Sequence, residues 1–384
     1  MTITFVSNYI NHHQLPFCDS LYEQLGDDFT FLQSIPIEEE RINMGWDNEG
    51  EKRPYVRFLY NDEQLINLLI ESDILLVGWS GVAKVETTVI KRLKQNKPTF
   101  RISERIYKTG RWKIISPRGL FYRYREFTRF RRHPYYLLCI GTYVAADFKL
   151  LHAFPNKKFR WGYFPKTYHY GEELWQKKAT TEVVQICWAG RFIELKHPEY
   201  MIKLAHDLHN QGYTFHLNMI GSGEMESQLH QTSTELGLNE MITFHGTKSP
   251  ENVREIMEKC HIFALTSNHI EGWGAVLSEA MNSGMAVVAS THAGATRFLI
   301  DNGVNGFYYR KGNYNELLDL IKQLLEKPDL QVKFGKNAYH TIATQWNAEH
   351  AAAELLRVCH TVQKGEEITP AKTGPLSIAP TINP

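Results

Sequence analysis

The sequence predicts an α/β protein of two domains, each a parallel sheet wrapped by helices. Three observations carry that expectation. The chain has 384 residues, enough for two domains at roughly 100–200 residues each. Short β-branched and aromatic runs alternate with amphipathic segments from end to end. Near the middle, FPKTYHYGEELWQKKATT (Phe164 to Thr181) is polar and lacks a clear period. The expected division is an N-terminal domain over 1–165, a linker over 166–182, a C-terminal domain over 183–345 and a tail over 365–384 that reads as disordered, with four prolines and no apolar period.

In the first half, Ile3 to Ser7, Phe29 to Gln33, Ile74 to Val77 and Pro98 to Ile102 read as strands, and Leu15 to Leu25 and Glu63 to Glu71 as helices. The second half alternates more clearly. VVQICWAG from Val183, FHLNMIGSG from Phe215, ITFHG from Ile242, HIFALTS from His261 and AVVAS from Ala286 are strand candidates, each followed by a helix-compatible segment.

Composition narrows the function. Lys and Arg total 43 against 42 Asp and Glu, a net charge of +1 that gives no global reason to expect a nucleic-acid binder. MTITFVSNYI does not resemble a signal peptide, and the longest apolar run, DILLVGWSGVA, is far too short to span a bilayer. Cys18, Cys139, Cys187, Cys260 and Cys359 form no CxxC pair, so they read as buried thiols in a reducing cytoplasm.

The segment richest in chemistry is SNHIEGWGAVLSEAMNSGMAVVAS, Ser267 to Ser290. A strand ends, Gly272 and Gly274 bracket Trp273, and Val276, Leu277, Ala280 and Met281 then give a helical apolar face. Glycines at a helix start let an anion approach backbone N–H donors, so Gly272, Trp273, Gly274, Ala275 and Val276 are candidates to hold a phosphate or diphosphate. Glu271 and Glu279, separated by seven residues, are carboxylates suited to sugar or ribose hydroxyls. In CWAGRFIELKHPEY, Arg191 follows a strand and Lys196 lies five residues on. Cations at a strand's C-terminal edge suit a diphosphate leaving group. MIGSGEMESQL runs a strand into Gly221 and Gly223, which resembles a nucleotide loop without completing a dinucleotide fingerprint.

Taken in order, AGRFIELK, IGSGE, ITFHG, EGWGAVLSEAMNSGMAVVAS and VNGFYY resemble the nucleotide-binding half of retaining glycosyltransferases of family 4 with the GT-B fold, over Val183 to Tyr309. That resemblance implies two Rossmann-like domains facing a central cleft. ATQWNAEHAAAELLRVCH resembles the fold's last helix, here 346–364, which crosses back to the N-terminal domain. It further implies that Arg191 and Lys196 neutralise the donor diphosphate, that Glu279 holds the ribose, that Glu271 contacts the transferred sugar, and that Gly246 belongs to the donor-binding loops. The implied donor is a nucleotide-diphosphate sugar of UDP or GDP type. The implied reaction is metal-independent transfer to a glycan or lipid-linked acceptor in bacterial polysaccharide biosynthesis, with no cofactor. SERIYK and WGYFP look similar to bacterial surface-polysaccharide transferases. A nucleotide-sugar epimerase on the same fold and a non-catalytic glycan-binding relative are the alternatives.

The first half departs from that pattern. A glycine-rich loop usually follows the first strand, but here Asn11, His12, His13 and Gln14 occupy it. Where many relatives carry a His after a later strand, this chain has Ser103 and Glu104. Asn11, His12, His13 and Glu104 are therefore the acceptor or phosphate candidates of this domain. Arg101 to His133 carries eleven Lys or Arg and two acids, interleaved with Trp112, Phe121, Tyr122, Tyr124, Phe127 and Phe130, a composition suited to an anionic membrane surface. The expected location is cytoplasmic, peripheral on the membrane. His206 and His209 share a helix face but have no third ligand nearby, so no metal site is expected.

Overall fold

The computed structural model describes residues 1–38, 49–110, 116–179, 182–310 and 312–383. Two parallel sheets organise them, and the chain divides into Met1–Lys166 with Gln345–Pro384, and Thr167–Thr344. Both units are Rossmann-like: strands alternate with helices, and every ladder between strands is parallel.

The first sheet contains β1 (Ile3–Ser7), β2 (Phe29–Gln33), β3 (Val56–Phe58), β4 (Ile74–Val77), β5 (Thr99–Ser103), β6 (Tyr135–Ile140) and β7 (Lys158–Trp161), in the order β3-β2-β1-β4-β5-β6-β7. Its central strands are buried along their length, as helix-covered parallel strands must be. Ile3 of β1 sits between Phe29 of β2 and Ile74 of β4. Because β1 is flanked by β2 on one side and β4 on the other, the strand order reverses at β1/β4. Chain leaves these two strands toward opposite sides, which opens a crevice at their C-terminal ends.

The second sheet contains β8 (Val184–Ala189), β9 (Phe215–Ile220), β10 (Ile242–Gly246), β11 (Ile262–Leu265), β12 (Ala286–Ser290) and β13 (Phe307–Tyr309), in the order β10-β9-β8-β11-β12-β13. Here the reversal lies between β8 and β11. Trp188 on β8 is buried and donates from Nε1 to Thr266 Oγ1 at 2.8 Å, just past the end of β11. That bond ties the two strand ends that flank the reversal.

The helix Ala348–Gln363 belongs to the first unit and packs on the helix Leu15–Leu25. Asn347 caps it by accepting from the His350 amide at 2.7 Å. Its buried face includes Ala351, Ala352, Leu355 and Cys359, small enough in part for close helix approach.

Two expectations need correction. Residues after Lys364 are not a disordered tail. Leu376, Ser377 and Ala379 are buried, and the segment pairs with β7: Arg160 donates to the Ser377 carbonyl at 2.8 Å, Leu376 to the Arg160 carbonyl at 2.9 Å and Ala379 to the Lys158 carbonyl at 3.0 Å. The prolines prevent a helix, but a short extended pairing needs none, and burying Leu376 contributes about 2 kcal/mol. The stretch expected as an aperiodic linker holds a helix, Glu173–Ala179, with Leu174 buried. Lys178 Nζ donates to the Met257 carbonyl at 3.4 Å and also to that of Cys260, which anchors the segment to the second unit. The five cysteines are free and buried. Among the described residues, no helix is long and apolar enough to cross a membrane.

Candidate functional site

The loops after β8 and β11 leave the second sheet on either side of its reversal, and they are stitched together there. Thr266 Oγ1 donates to the Lys196 carbonyl at 2.5 Å, and Asn268 donates its amide to the Leu195 carbonyl at 2.9 Å. The side chains continue the connection: Lys196 Nζ forms an ion pair with Glu271 Oε2, and both are largely shielded from solvent. Arg191 sits at the exposed start of the same loop, immediately beyond Gly190. Two cations and a carboxylate named from sequence therefore arise from the loops that bound one switch point.

Gly221 and Gly223 follow β9, next to this loop. The Gly190 amide donates to the Ile220 carbonyl at 3.0 Å, Phe192 to Ser222 at 2.8 Å and Met225 to Phe192 at 2.9 Å. Gly221 has φ +132°, and a Cβ there would lie 2.0 Å from the Gly190 carbonyl oxygen; at Gly223, φ +152°, one would lie 2.7 Å from that of Phe192. The close approach these glycines permit is main chain to main chain between neighbouring loops, a reason for the motif that sequence reading misses. Gly246 ends β10 and accepts from the Gly221 amide at 3.0 Å.

Gly272, Trp273, Gly274 and Ala275 lead into the helix Val276–Asn282. Leu277 donates to the Gly274 carbonyl at 3.0 Å, so the amides of Ala275 and Val276 stand ahead of that bond. Trp273 holds this turn in place. Its indole is buried against Phe298, ring centroids 6.2 Å apart, and its carbonyl accepts from Ala295 at 2.9 Å. The side chain anchors the loop.

Glu279 lies within that helix. Burial pushes its carboxyl above the ordinary 4.5, and the nearby Arg254 guanidinium pulls it part of the way back. Sequence reading misses Arg254, since a charged residue on a short helix looks like a solvated one. It is in fact buried, donating to the Glu279 carbonyl at 2.8 Å, Asn282 Oδ1 at 3.1 Å and Ser283 Oγ at 2.9 Å, with its guanidinium 4.8 Å from the Tyr168 ring centroid. Arg254 thus secures the helix that carries Glu279. Next to Lys196, His197 has φ +50°, and its Nδ1 bonds Glu199 at 2.7 Å; that bond raises the imidazole above 6.5.

The first unit has its own cleft, about 940 Å³, at the β1/β4 reversal. It is lined by Asn8 and Asn11 after β1, Trp79 and Ser80 after β4, and Glu104 and Arg105 after β5, among others. Tyr163 donates to Glu104 Oε1 at 3.0 Å, and Lys108 pairs with Oε2 of the same carboxylate. Of the sequence candidates, Asn11 and Glu104 meet here. His12 and His13 are not among the lining residues; their rings lie together, centroids 3.8 Å apart, and the His13 carbonyl accepts from Phe164 at 3.1 Å. Trp79, 65% exposed, is a lining residue sequence reading misses. The signal was available, since glycines bracket Trp79 in GWSG as they bracket Trp273.

The basic stretch also changes on inspection. Arg101 is buried in a two-bond pair with Glu86, at 2.9 and 2.6 Å, and Arg105 turns to Asp147 at 3.3 Å. Phe127 and Phe130 are core residues. Arg111, Trp112 and Lys113 lie outside the described residues. His206 bonds Asn210 at 2.9 Å, and among the described residues no group of three or more His, Cys, Asp or Glu is placed to hold a metal ion.

Residues 171–341 match the family model for glycosyl transferases group 1. Among curated relatives, the amylovoran biosynthesis glycosyltransferase AmsK of Erwinia amylovora is 26% identical over 187 residues, 47% of this chain and 46% of AmsK. The capsular polysaccharide biosynthesis glycosyltransferase CapM of Staphylococcus aureus is 24% identical over 51% of this chain and 50% of CapM. The chain spans about half the length of the curated relatives it matches. Among solved structures, Anabaena Alr3699/HepE in complex with UDP aligns over 93% of this chain and all of that one, with a TM-score of 0.65 and 17% identity. A glycosyltransferase from Rickettsia africae aligns over 95% with a TM-score of 0.66 and 15% identity. These likenesses show the fold, two Rossmann-like domains of the GT-B class.

Proposed function

We propose that this chain, with its glycosyl transferases group 1 domain over 171–341, is a retaining, metal-independent glycosyltransferase. It moves a sugar from a nucleotide-diphosphate donor to a glycan or lipid-linked acceptor in bacterial polysaccharide biosynthesis. The observation that carries the reading is the Lys196–Glu271 pair at the β8/β11 reversal, with Arg191 opening the same loop. Ligands of open α/β sheets bind at that point.

In this reading the donor lies on the second unit. Arg191 and Lys196 meet its diphosphate, the amides of Ala275 and Val276 add donors, Glu279 takes the ribose hydroxyls and Glu271 the transferred sugar. Breaking the glycosyl–phosphate bond leaves an oxocarbenium-like sugar and a diphosphate whose charge grows as the bond lengthens. Preorganised cations favour that charge more in the transition state than in the ground state, which lowers the barrier. UDP is the first donor base to test, because the structural neighbour Alr3699/HepE is described with UDP and with UDP-glucose. The cleft of the first unit is the acceptor site, with Asn11 and Glu104 as hydrogen-bonding groups and Trp79 as a flat apolar surface for a sugar ring. The location is cytoplasmic.

A thermal-shift panel of UDP, GDP, ADP and their sugar conjugates tests the reading, since a ligand bound only by the folded state raises its stability. One nucleotide is expected to stabilise the wild type and not Glu279→Ala. No shift with any nucleotide would favour the glycan-binding alternative. An epimerised free nucleotide sugar formed without acceptor would favour the epimerase.

A further inference from the structure

The helix Pro117–Glu126 is inverted with respect to a normal surface helix. None of its residues is buried, and Leu120, Phe121 and Tyr124 are 42%, 60% and 56% exposed. At 100° per residue these three fall within an arc of about 100°. Gly119, Arg123 and Glu126 occupy the opposite side and are partly covered by protein. Arg123 pairs with Glu126 at 3.2 Å, and both line the first unit's cleft. One helix is therefore a wall of the cleft on its polar side and an uncovered apolar surface on the other.

The charge around that surface has one sign. Arg125 and Arg118 lie together along one border of the apolar arc, about 40° and 60° beyond Phe121, and the exposed Arg131 and Arg132 follow within a few residues, while Glu126, the sole acid in 117–132, is turned to Arg123. Arg118 also lies over the Tyr122 ring, 5.9 Å from its centroid. Apolar and aromatic side chains bordered along one side by cations suit a surface that is greasy beneath and anionic on top. A second copy of the chain would bring the same arginines against themselves, and the repulsion disfavours it.

We infer that the Pro117–Glu126 helix docks on an anionic lipid bilayer, so that the cleft of the first unit opens beside the membrane surface. Leu120, Phe121 and Tyr124 enter the headgroup boundary and the arginines meet lipid phosphates. An acceptor carried on a lipid then reaches the cleft by moving in the plane of the bilayer. This rests on the transfer reading only for what the cleft receives; the docking itself needs no donor.

The test is co-sedimentation of the full chain with phosphatidylcholine vesicles and with phosphatidylcholine/phosphatidylglycerol vesicles. Binding is expected to the anionic vesicles alone and to weaken as salt rises. F121S/Y124S and, separately, R118E/R125E should each lower it by about tenfold or more. These side chains are exposed and unlike Arg123 do not line the cleft, so the variants should keep the wild-type melting temperature and nucleotide-induced shift. Absence of binding to anionic vesicles overturns the inference, as does binding that neither variant changes. An oligomer in sedimentation velocity that F121S/Y124S dissolves would assign the face to a second copy instead. Loss of the nucleotide shift in the wild type would overturn the transfer reading and leave vesicle binding standing.

Discussion

Lys196 and Glu271 form an ion pair across the reversal in strand order of the second sheet, each from a loop leaving on a different side of it. Neither charge is committed to the hydrophobic core, so either can be removed without a cavity. Lys196→Ala and Arg191→Ala are each expected to lower turnover with a nucleotide sugar by about 10²- to 10³-fold, the scale for removing a group that stabilises developing charge. Circular dichroism should be unchanged. Wild-type turnover in either variant would remove that residue from the mechanism.

Arg254 is a different kind of cation. Leucine in its place leaves the Glu279 carbonyl, Asn282 and Ser283 without a shared donor and should cost about 3 kcal/mol in urea unfolding. Without its charge, burial pushes the Glu279 carboxyl further up than in the wild type. The folded state of the variant then binds the proton more tightly than the unfolded chain. Its remaining stability should therefore fall as pH rises through the folded pKa, more steeply than that of the wild type. Parallel pH curves would contradict this account.

The glycines after β9 predict a contrast within one unit. Gly221→Ala meets the Gly190 carbonyl at 2.0 Å and requires the backbone to move, whereas Gly237→Ala, φ +68°, meets nothing within 4 Å. The second should cost about 1–2 kcal/mol, the left-handed penalty alone. The first should cost clearly more and also weaken nucleotide binding, because the loop it displaces carries Arg191. Equal losses in chemical denaturation would disprove the packing role.

His197 gives a pH dependence near neutrality. The Glu199 hydrogen bond raises its pKa above 6.5, opposed by burial. The pair's contribution is fully present below about 6.5 and lost as pH rises through the folded pKa. Both groups are partly solvated, so the contribution is about 0.5 kcal/mol. Melting temperatures of wild type and Glu199→Gln should differ at pH 5.5 and converge by pH 8. A difference that persists at pH 8 would show the bond to be structural.

Trp79→Ala should raise the acceptor KM with little change in the nucleotide-induced shift, since the indole is 65% exposed and lines the first unit's cleft. An unchanged acceptor KM would exclude it as a surface for the sugar.

Much of this was legible in the sequence where one pattern has one physical solution. Runs such as ILLV and AVVAS are apolar on both faces and bounded by turn residues, which fits only a buried parallel strand. Arg191, Lys196 and Glu271 were readable because each follows a strand end. Other strands were obscured by their surroundings. YYLLCI (β6) directly follows the basic stretch, KFRW (β7) alternates charge and aromatic over four residues, and neither is among the strands read from the sequence. Arg254 and the buried indole of Trp273 are not legible in the sequence for one reason: burial of a polar residue depends on partners distant in sequence, here Asn282 for the arginine and Ala295 for the indole-bearing loop. The helix Glu173–Ala179 escaped notice because Lys178, its buried lysine, is held by carbonyls some eighty residues away.

The pairing of Leu376–Ala379 with β7 has a consequence for solubility. β7 is the last strand of its sheet, and its outer edge would otherwise offer a row of donors and acceptors to any extended chain. The C-terminal segment occupies those groups with its own backbone, and its prolines keep it from growing into a strand that would pass the vacancy outward. It works as a selvedge, finishing the sheet so that it does not continue into a neighbouring molecule. Without residues 365–384 the chain should retain both sheets and acquire a tendency to associate edge to edge.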